Sequence, residues 1–471
     1  MAMTRRTKII ATIGPASAAP GTLEALIAAG MDVARLNFSH GTHQEHKILI
    51  RRIRAAARRQ KKPVAILQDL AGPKIRVGPV PGPGILLEPG RSFILTTRPE
   101  GQNEGSVSVT YPDLAREVRK GDRLMLADGL MELVVEKTDG VDITCTVITG
   151  GLLTAHKGIN FPTGTIRAPA FTAKDRMDLL FGLEAGVDYV GLSFVKSAEE
   201  IRGVRELITK WGRRTPIIAK IERHEALKVI DDIVAETDAI MVARGDLGVE
   251  IPLEEVPMVQ KRLIHMANNA GKPVITATQM LRSMVDSPRP TRAEATDVVN
   301  AILDGADAVM LSEETASGRY PVEAVQFMNR LALMAEGNFP HDAFLKKTPR
   351  QDIPDSVAHA SCILADHLDA RAIVAHTQSG LTALNISRFR PRQPIVAITP
   401  NKETLRRLSL IWGCLPMLIK ASRGTDDMIE RAARAALATG AVAPGDLVVM
   451  TVGHPVTGAG TTNMLRVKKL E

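Results

Sequence analysis

Short apolar segments alternate with helical ones over most of this chain, and few folds accept that alternation. Residues 8–13, 32–39 and 63–69 read as strands, with helices over 22–29 and 42–60 between them. From about residue 173 the pattern resumes. Strands over 188–194, 216–219, 239–242, 273–278 and 307–311 then alternate with helices over 173–185, 198–210, 225–235, 257–270 and 292–303. Strands joined by helices of this length pair in parallel through right-handed crossovers. Three strands precede the interruption and five follow it. That is the complement of a (β/α)8 barrel, an α/β fold whose active site lies at the C-terminal ends of its strands.

The interruption has a different texture. Turn pairs such as Pro89-Gly90, Asp128-Gly129 and Asp139-Gly140 punctuate short β runs over 92–97, 106–110, 123–127, 131–136 and 142–148. This predicts a small all-β lid inserted after the third strand. The expected organisation is a barrel built from 1–71 and 169–339, a lid over 72–168, a charged linker over 340–354 and a C-terminal α/β domain over 355–471. In that last domain, helices over 356–368, 402–410 and 426–439 accompany strands over 371–375, 394–398, 446–452 and 464–469.

Charge collects where the strands stop. Lys220 and Glu222 sit two apart on a strand and face the same way, while Ile221 faces the other. The next strand runs into Gly245 and Asp246. Two carboxylates suit a divalent metal, and a lysine beside them suits an anionic oxygen, a combination that points to phosphate chemistry with Mg2+. Other strand ends carry Arg35, Asn37, Ser39, Asp69, Thr278 and Ser312. Polar groups of both signs thus converge on one rim, which simple capping of a sheet would not produce.

The formal net charge of +8 fits anionic partners. Aromatics make up 3% of the chain, and no basic run is interleaved with them as a nucleic-acid stacking platform requires. Small anionic substrates are the better match. Cys145, Cys362 and Cys414 form no ligand pattern, and their odd number favours a reducing, cytoplasmic setting. Residues 1–8 are basic without a signal-peptide core, and no apolar run reaches membrane-spanning length. His43 and His46, and the cluster Arg51, Arg52, Arg54, Arg58 and Arg59, read as a solvated helix face, and His265 as structural.

Several blocks carry a family resemblance. Ile13-Gly14-Pro15-Ala16-Ser17, the run from Ala34 to Gly41, Gly72-Pro73-Lys74-Ile75-Arg76, Lys220-Ile221-Glu222, the run from Met241 to Gly248, the run from Ala277 to Leu281 and the run from Leu311 to Ala316 resemble pyruvate kinase, in order along the chain. The resemblance implies phosphoryl transfer from phosphoenolpyruvate to ADP, giving pyruvate and ATP. It implies that Glu222 and Asp246 hold Mg2+, with Mn2+ as a substitute. Lys220 and Arg35 then engage the moving phosphoryl group. Gly245, Asp246 and Thr278 receive the substrate carboxylate, and Thr278, with Ser312, serves enolate protonation. Arg76, Lys157, Asn37 and His40 match nucleotide-binding positions. Asn37, Ser39, Asp69 and the Leu70 carbonyl match a monovalent-cation site. The resemblance also implies a homotetramer.

One departure stands out. Leu70-Ala71-Gly72-Pro73-Lys74 follows Asp69, and Lys74 stands where potassium-dependent relatives carry glutamate. An ammonium there would supply the charge that K+ otherwise provides, so K+ is expected to be dispensable. In the C-terminal domain Thr377, Ser379 and Thr382 resemble an effector-phosphate turn. The loop from Gly453 to Asn463 matches one that closes over effectors, and it lacks Trp, Lys and Arg. That counts against a sugar bisphosphate, and a monophosphorylated sugar or a nucleotide monophosphate fits at least as well. Two other readings remain open: another Mg2+-dependent barrel acting on phosphoenolpyruvate or 2-oxo acids, such as an aldolase, and a non-catalytic phosphometabolite sensor.

Overall fold

The structure, a computed structural model, describes residues 5–99, 105–162, 164, 166–453 and 462–471. Eight parallel strands close a barrel. They are β1 (Lys8–Thr12), β2 (Val33–Asn37), β3 (Ala65–Asp69), β4 (Tyr189–Leu192), β5 (Ile217–Ile221), β6 (Ala239–Ala243), β7 (Val274–Ala277) and β8 (Ala308–Leu311). The last strand returns to the first, with Lys8 opposite Ala308. Every residue of β1, β3, β5 and β6 is buried, which is why these strands read as continuous apolar runs. Ile10, Leu67, Ile218, Met241, Ile275 and Met310 fill the interior. Their neighbours Ile9, Ile66, Ala219, Val242 and Val309 pack into the core shared with the helices. The period of two that puts Ile218 inside puts Lys220 and Glu222 on the same side.

Local chemistry starts the helices. Thr42 with Glu45, Thr172 with Asp175, Ser197 with Glu200 and Thr291 with Glu294 form capping boxes. The helix expected over 225–235 is divided at Val229 into His224–Lys228 and Ile230–Glu236.

The N-terminal end of the barrel repeats one device four times. Asp32, Asp188, Asp238 and Asp307 each precede an even-numbered strand. Each accepts a backbone N–H from the preceding odd-numbered strand: Ile9 at 2.9 Å, Ile66 at 2.8 Å, Ile217 at 2.8 Å and Val274 at 3.0 Å. Each also pairs with an arginine: Arg5 at 2.7 Å, Arg54 at 2.7 Å, Arg205 at 3.0 Å and Arg390 at 2.9 Å. The barrel is therefore stitched as four strand pairs. Charge-assisted bonds take up the donors that strand ends would leave unpaired.

The lid lies between β3 and β4. Its main sheet orders Ile159–Asn160, Arg123–Leu126, Met131–Thr138, Asp142–Thr149, Ser92–Thr96 and Ser106–Ser108, and Ile85–Leu87 pairs separately with Gly151–Leu153. Phe93, Leu95, Leu124, Leu133 and Ile143 belong to a core of its own.

The C-terminal sheet runs β11 (Cys414–Leu418), β10 (Ile395–Thr399), β9 (Ala372–His376), β12 (Leu447–Gly453) and β13 (Thr462–Lys469), with β13 antiparallel. The strand β11 has no counterpart in the sequence reading. Its Pro416 disguises it, and proline is tolerated here because the strand is at the sheet edge. The helix expected over 402–410 stops at Arg407. The following turn, Leu408–Leu410, delivers Leu410 into the apolar cluster that fills the barrel. Arg406 Nε reaches Asp188 Oδ1 at 2.7 Å, and the Tyr189 hydroxyl donates to the Arg407 carbonyl at 2.8 Å. The C-terminal domain thus plugs the end of the barrel opposite the rim. Within 340–354 a helix, His341–Leu345, interrupts the irregular stretch, and the next helix begins at Ile353.

The expectation of a solvated face holds for Arg51, Arg52, Arg58 and Arg59, which lie exposed, and needs correction at His46 and Arg54, while His43 is exposed but partnered. His46 is buried and stacks on Phe38, with ring centroids 3.9 Å apart. His43 stacks on Phe181 and pairs with Asp178 at 2.6 Å. Arg54 turns inward to Asp188. The neighbouring helix Ala173–Ala185 supplies Phe181 and Asp178, and no local periodicity could announce them. His265 lies exposed on its helix. Among the described residues no helix is long and apolar enough to cross a membrane.

Burial alone would raise the Asp32 carboxyl, but Arg5, Lys62 and Lys8 outweigh it and hold it well below the usual carboxylate range. The folded value lies below the unfolded one, so this stabilisation is present at neutral pH and lost as pH falls through the folded value. Asp32→Asn should lower the unfolding midpoint by several degrees at pH 7. The gap to the parent should narrow as pH falls below about 4, near the unfolded aspartate value. Thermal denaturation followed by circular dichroism across pH checks this.

Candidate active site

Adjacent strands β3, β4 and β5 assemble the centre of the rim. Lys220 is buried, and its Nζ lies 2.9 Å from Glu222 Oε1 and 3.1 Å from Asp69 Oδ1. It donates to the Ser193 hydroxyl at 2.7 Å. Burial alone would strip its proton, but the carboxylates of Asp69 and Glu222 reverse the sign and hold its pKa above the usual lysine value. Asp69 serves a second cation: Arg35 Nε donates to Oδ2 at 2.6 Å, and Arg35 Nη1 donates to Thr12 Oγ1 at 2.9 Å. Burial pushes Asp69 up, yet Lys220 and Arg35 together keep it below its ordinary value.

Glu222 is buried and accepts the Phe194 N–H on Oε2 at 2.7 Å. Burial raises its carboxyl above the ordinary glutamate range; Lys220 opposes this and the Asp246 carboxylate adds to it. Two carboxylates close enough to repel form a hard-oxygen donor pair that fits a divalent cation. Asp246 lies in the first turn of the helix Arg244–Glu250. Lys74 Nζ donates to Asp246 Oδ1 at 3.1 Å. The structure therefore brings Lys74 to this carboxylate pair.

The four residues matched to a monovalent cation are engaged within the protein. Asn37 Oδ1 accepts the Ser39 N–H at 3.1 Å, the Leu70 carbonyl accepts the Ser193 hydroxyl at 2.7 Å, and Asp69 is shared as described. Thr278 follows β7 and joins the rim: its Oγ1 accepts the Gly245 N–H at 2.7 Å. Ser312 follows β8, and its N–H goes to Glu314 Oε2 at 2.7 Å, while Glu314 Oε1 accepts the Leu281 N–H at 3.0 Å. Glu314 thereby ties the loops after β7 and β8 together. Arg76 lies at the lid border, where its Nη1 donates to the His156 carbonyl at 3.2 Å. Lys157 and His40 are exposed.

In the C-terminal domain Thr377 Oγ1 accepts the Gly380 N–H at 2.8 Å, and Ser379 is exposed in the same turn. The Thr382 hydroxyl meets the Thr462 hydroxyl at 2.7 Å. Most of the loop from Gly453 to Asn463 falls at 454–461, outside the described residues.

The family model described as "Pyruvate kinase, barrel domain" matches residues 4–325, and "Pyruvate kinase, alpha/beta domain" matches residues 355–468. The chain is 48% identical over 470 residues to "Pyruvate kinase 2" of Synechocystis sp., covering 98% of this chain and 79% of that protein. It is 46% identical to "Pyruvate kinase" of Geobacillus stearothermophilus, covering 99% and 80% of the two chains. It is 44% identical to "Pyruvate kinase" of Mycobacterium tuberculosis, covering 99% of each.

The chain belongs to the pyruvate kinase family. Membership implies dependence on a divalent metal ion.

Within this pyruvate kinase rim, the sequence reading passed over Ser193. It directly follows β4, as the other rim residues follow their strands, so position alone could have found it. Glu250 offered no such signal. Its Oε1 accepts from the lid residue Asn160 at 3.2 Å and from Arg223 at 3.3 Å, and its Oε2 meets His224 Nδ1 at 3.0 Å. This cluster joins the lid to the helix that carries Asp246. Arg223 also pairs with Glu225 at 3.0 Å, so a guanidinium supplies the positive charge among these carboxylates.

Ser193→Ala removes the acceptor of a charged donor, a loss of about 1.5–3 kcal/mol where the bond is fully formed. Turnover should fall on the order of tenfold, and the melting midpoint should drop by about a few degrees. Steady-state kinetics beside thermal denaturation checks both.

Proposed function

We propose that the rim around Lys220 carries out phosphoryl transfer from phosphoenolpyruvate to ADP, giving pyruvate and ATP, with the residue roles given below. As a pyruvate kinase the chain is a phosphotransferase. One observation carries the assignment of roles: a buried ammonium is kept charged by Asp69 and Glu222 at 3.1 Å and 2.9 Å, beside a guanidinium oriented by the same Asp69. A group moving between two anions needs fixed positive charge and alignment more than covalent help. Lys220 neutralises the transferring phosphoryl oxygens and the enolate oxygen left behind, and Arg35 grips the same phosphoryl group. Glu222 and Asp246 hold Mg2+, for which Mn2+ substitutes; when bound, the metal neutralises substrate oxygens and orients them. The Gly245 N–H and the Thr278 hydroxyl, bonded to each other at 2.7 Å, form the seat of the substrate carboxylate. Thr278, with Ser312 and water, delivers the proton to the enolate carbon. Arg76, Lys157, Asn37 and His40 face the nucleotide. An aldolase-type barrel would have no need of ADP, which a coupled assay separates directly. Lys220→Met should lower ATP formation by roughly three orders of magnitude while Mg2+ binding persists; near-parental turnover refutes the role.

K+ is dispensable in this reading. Lys74 adds an ammonium 3.1 Å from Asp246, and the Asn37, Asp69 and Leu70 oxygens matched to a monovalent cation already accept protein donors. In Mg2+ buffer free of K+ and NH4+, turnover should stay within about twofold of that with K+, less than the smallest charge effect worth a kcal/mol. A large loss restored by K+ overturns this. The turn holding Thr377, Ser379 and Thr382 is assigned to a phosphorylated effector, for which a sugar or nucleotide monophosphate fits at least as well as a sugar bisphosphate. The enzyme is assigned to the cytoplasm as a homotetramer. Three buried, unpaired cysteines support the reducing compartment.

A further inference from the structure

Thr278 and Gln279 hold left-handed backbone conformations, with φ of 67° and 54°. A β-branched residue rarely stays there unless its surroundings impose it. Arg244, directly after β6, bonds two carbonyls of this turn. Its Nε donates to the Ala277 carbonyl at 3.2 Å and its Nη2 to the Thr278 carbonyl at 2.9 Å. The other edge of the guanidinium is braced by Asp297 Oδ1 at 2.6 Å and Gln260 Oε1 at 3.2 Å. The circuit closes through the hydroxyl, which donates to the Ala277 carbonyl at 2.6 Å and accepts the N–H of Gly245, the residue after Arg244, at 2.7 Å. A planar guanidinium holds two successive carbonyls on one edge while its other edge is braced by Asp297 and Gln260, a fixed geometry that a rotating ammonium reproduces only in part.

We propose that Arg244 is a positioning residue that holds the Thr278 turn in its strained conformation and so aims the Thr278 hydroxyl at the substrate. The proposal rests on the reading above, in which the enolate carbon takes a proton delivered through Thr278. A C–H bond forms, the enolate becomes the ketone of pyruvate, and the hydroxyl regains its proton from water. Arg244 touches no reacting atom and acts through the turn alone.

The reverse proton transfer can be read separately, as exchange of pyruvate methyl hydrogens for deuterium, followed by proton NMR in D2O with Mg2+ and ATP. Arg244→Ala should slow exchange and kcat by about tenfold or more, and KM for phosphoenolpyruvate should rise as well, because the displaced Thr278 hydroxyl also seats the substrate carboxylate. Arg244→Lys should recover part of the loss. Thr278→Val reports on Thr278 itself, and the double variant should be no slower than Thr278→Val, because residues acting as a unit are not additive. If Arg244→Ala exchanges at the parental rate, or the double variant loses the product of the single losses, Arg244 does not act through Thr278 and the proposal falls. If Thr278→Val exchanges at the parental rate, the Thr278 reading fails and takes the proposal with it. Should Arg244→Ala not fold, Asp297→Asn and Arg244→Lys replace it in the same assay, and parental exchange in both overturns the proposal.

Discussion

The rim depends on keeping one buried ammonium charged. Lys220 sits where burial penalises its proton, and it retains that proton because Asp69 and Glu222 lie within 3.1 Å. Removing either carboxylate would leave an uncompensated buried charge, the costly half of a broken ion pair. Asp69 also orients Arg35, so one carboxylate spaces two cations. No single element supplies this arrangement. It needs β3, β4 and β5 side by side, and hence the closed barrel.

The two ends of the barrel solve different problems. At the N-terminal end four aspartates, each with an arginine, stitch the strands in pairs, and Leu410 joins the interior cluster from the C-terminal domain. At the C-terminal end the backbone of Thr278 is strained, and like charges at Glu222 and Asp246 face each other. Strain and repulsion of this kind persist only where the rest of the fold over-determines them. The strand β4 touches both regimes: Asp188 before it is held by Arg406, and Ser193 after it accepts from Lys220.

The barrel strands and the lid were legible because periodicity and turn chemistry are local. The strands are buried on both faces and read as unbroken apolar runs, and Gly-rich turn pairs mark the lid. Lys220, Glu222, Asp246 and Thr278 were legible because each ends or follows such a run. What escaped depended on partners far along the chain. Pro416 hid an edge strand whose partner is β10. His46 reads as polar on a helix, and only Phe38 beside it explains its burial. Glu250 gains meaning from Asn160, on the lid.

The sequence by itself determined the order of elements, the eight strands, the inserted lid and which residue types end each strand, because side-chain period and capping chemistry are properties of neighbouring residues. Tertiary structure decided which of those residues share a charge. It put Lys74 on Asp246, gave Asp69 to both Lys220 and Arg35, set Arg244 under Thr278 and closed the barrel with Leu410. The reason is physical: hydrogen bonds and ion pairs act over a few ångströms of space. Only closure of the barrel turns strand ends more than a hundred residues apart into neighbours.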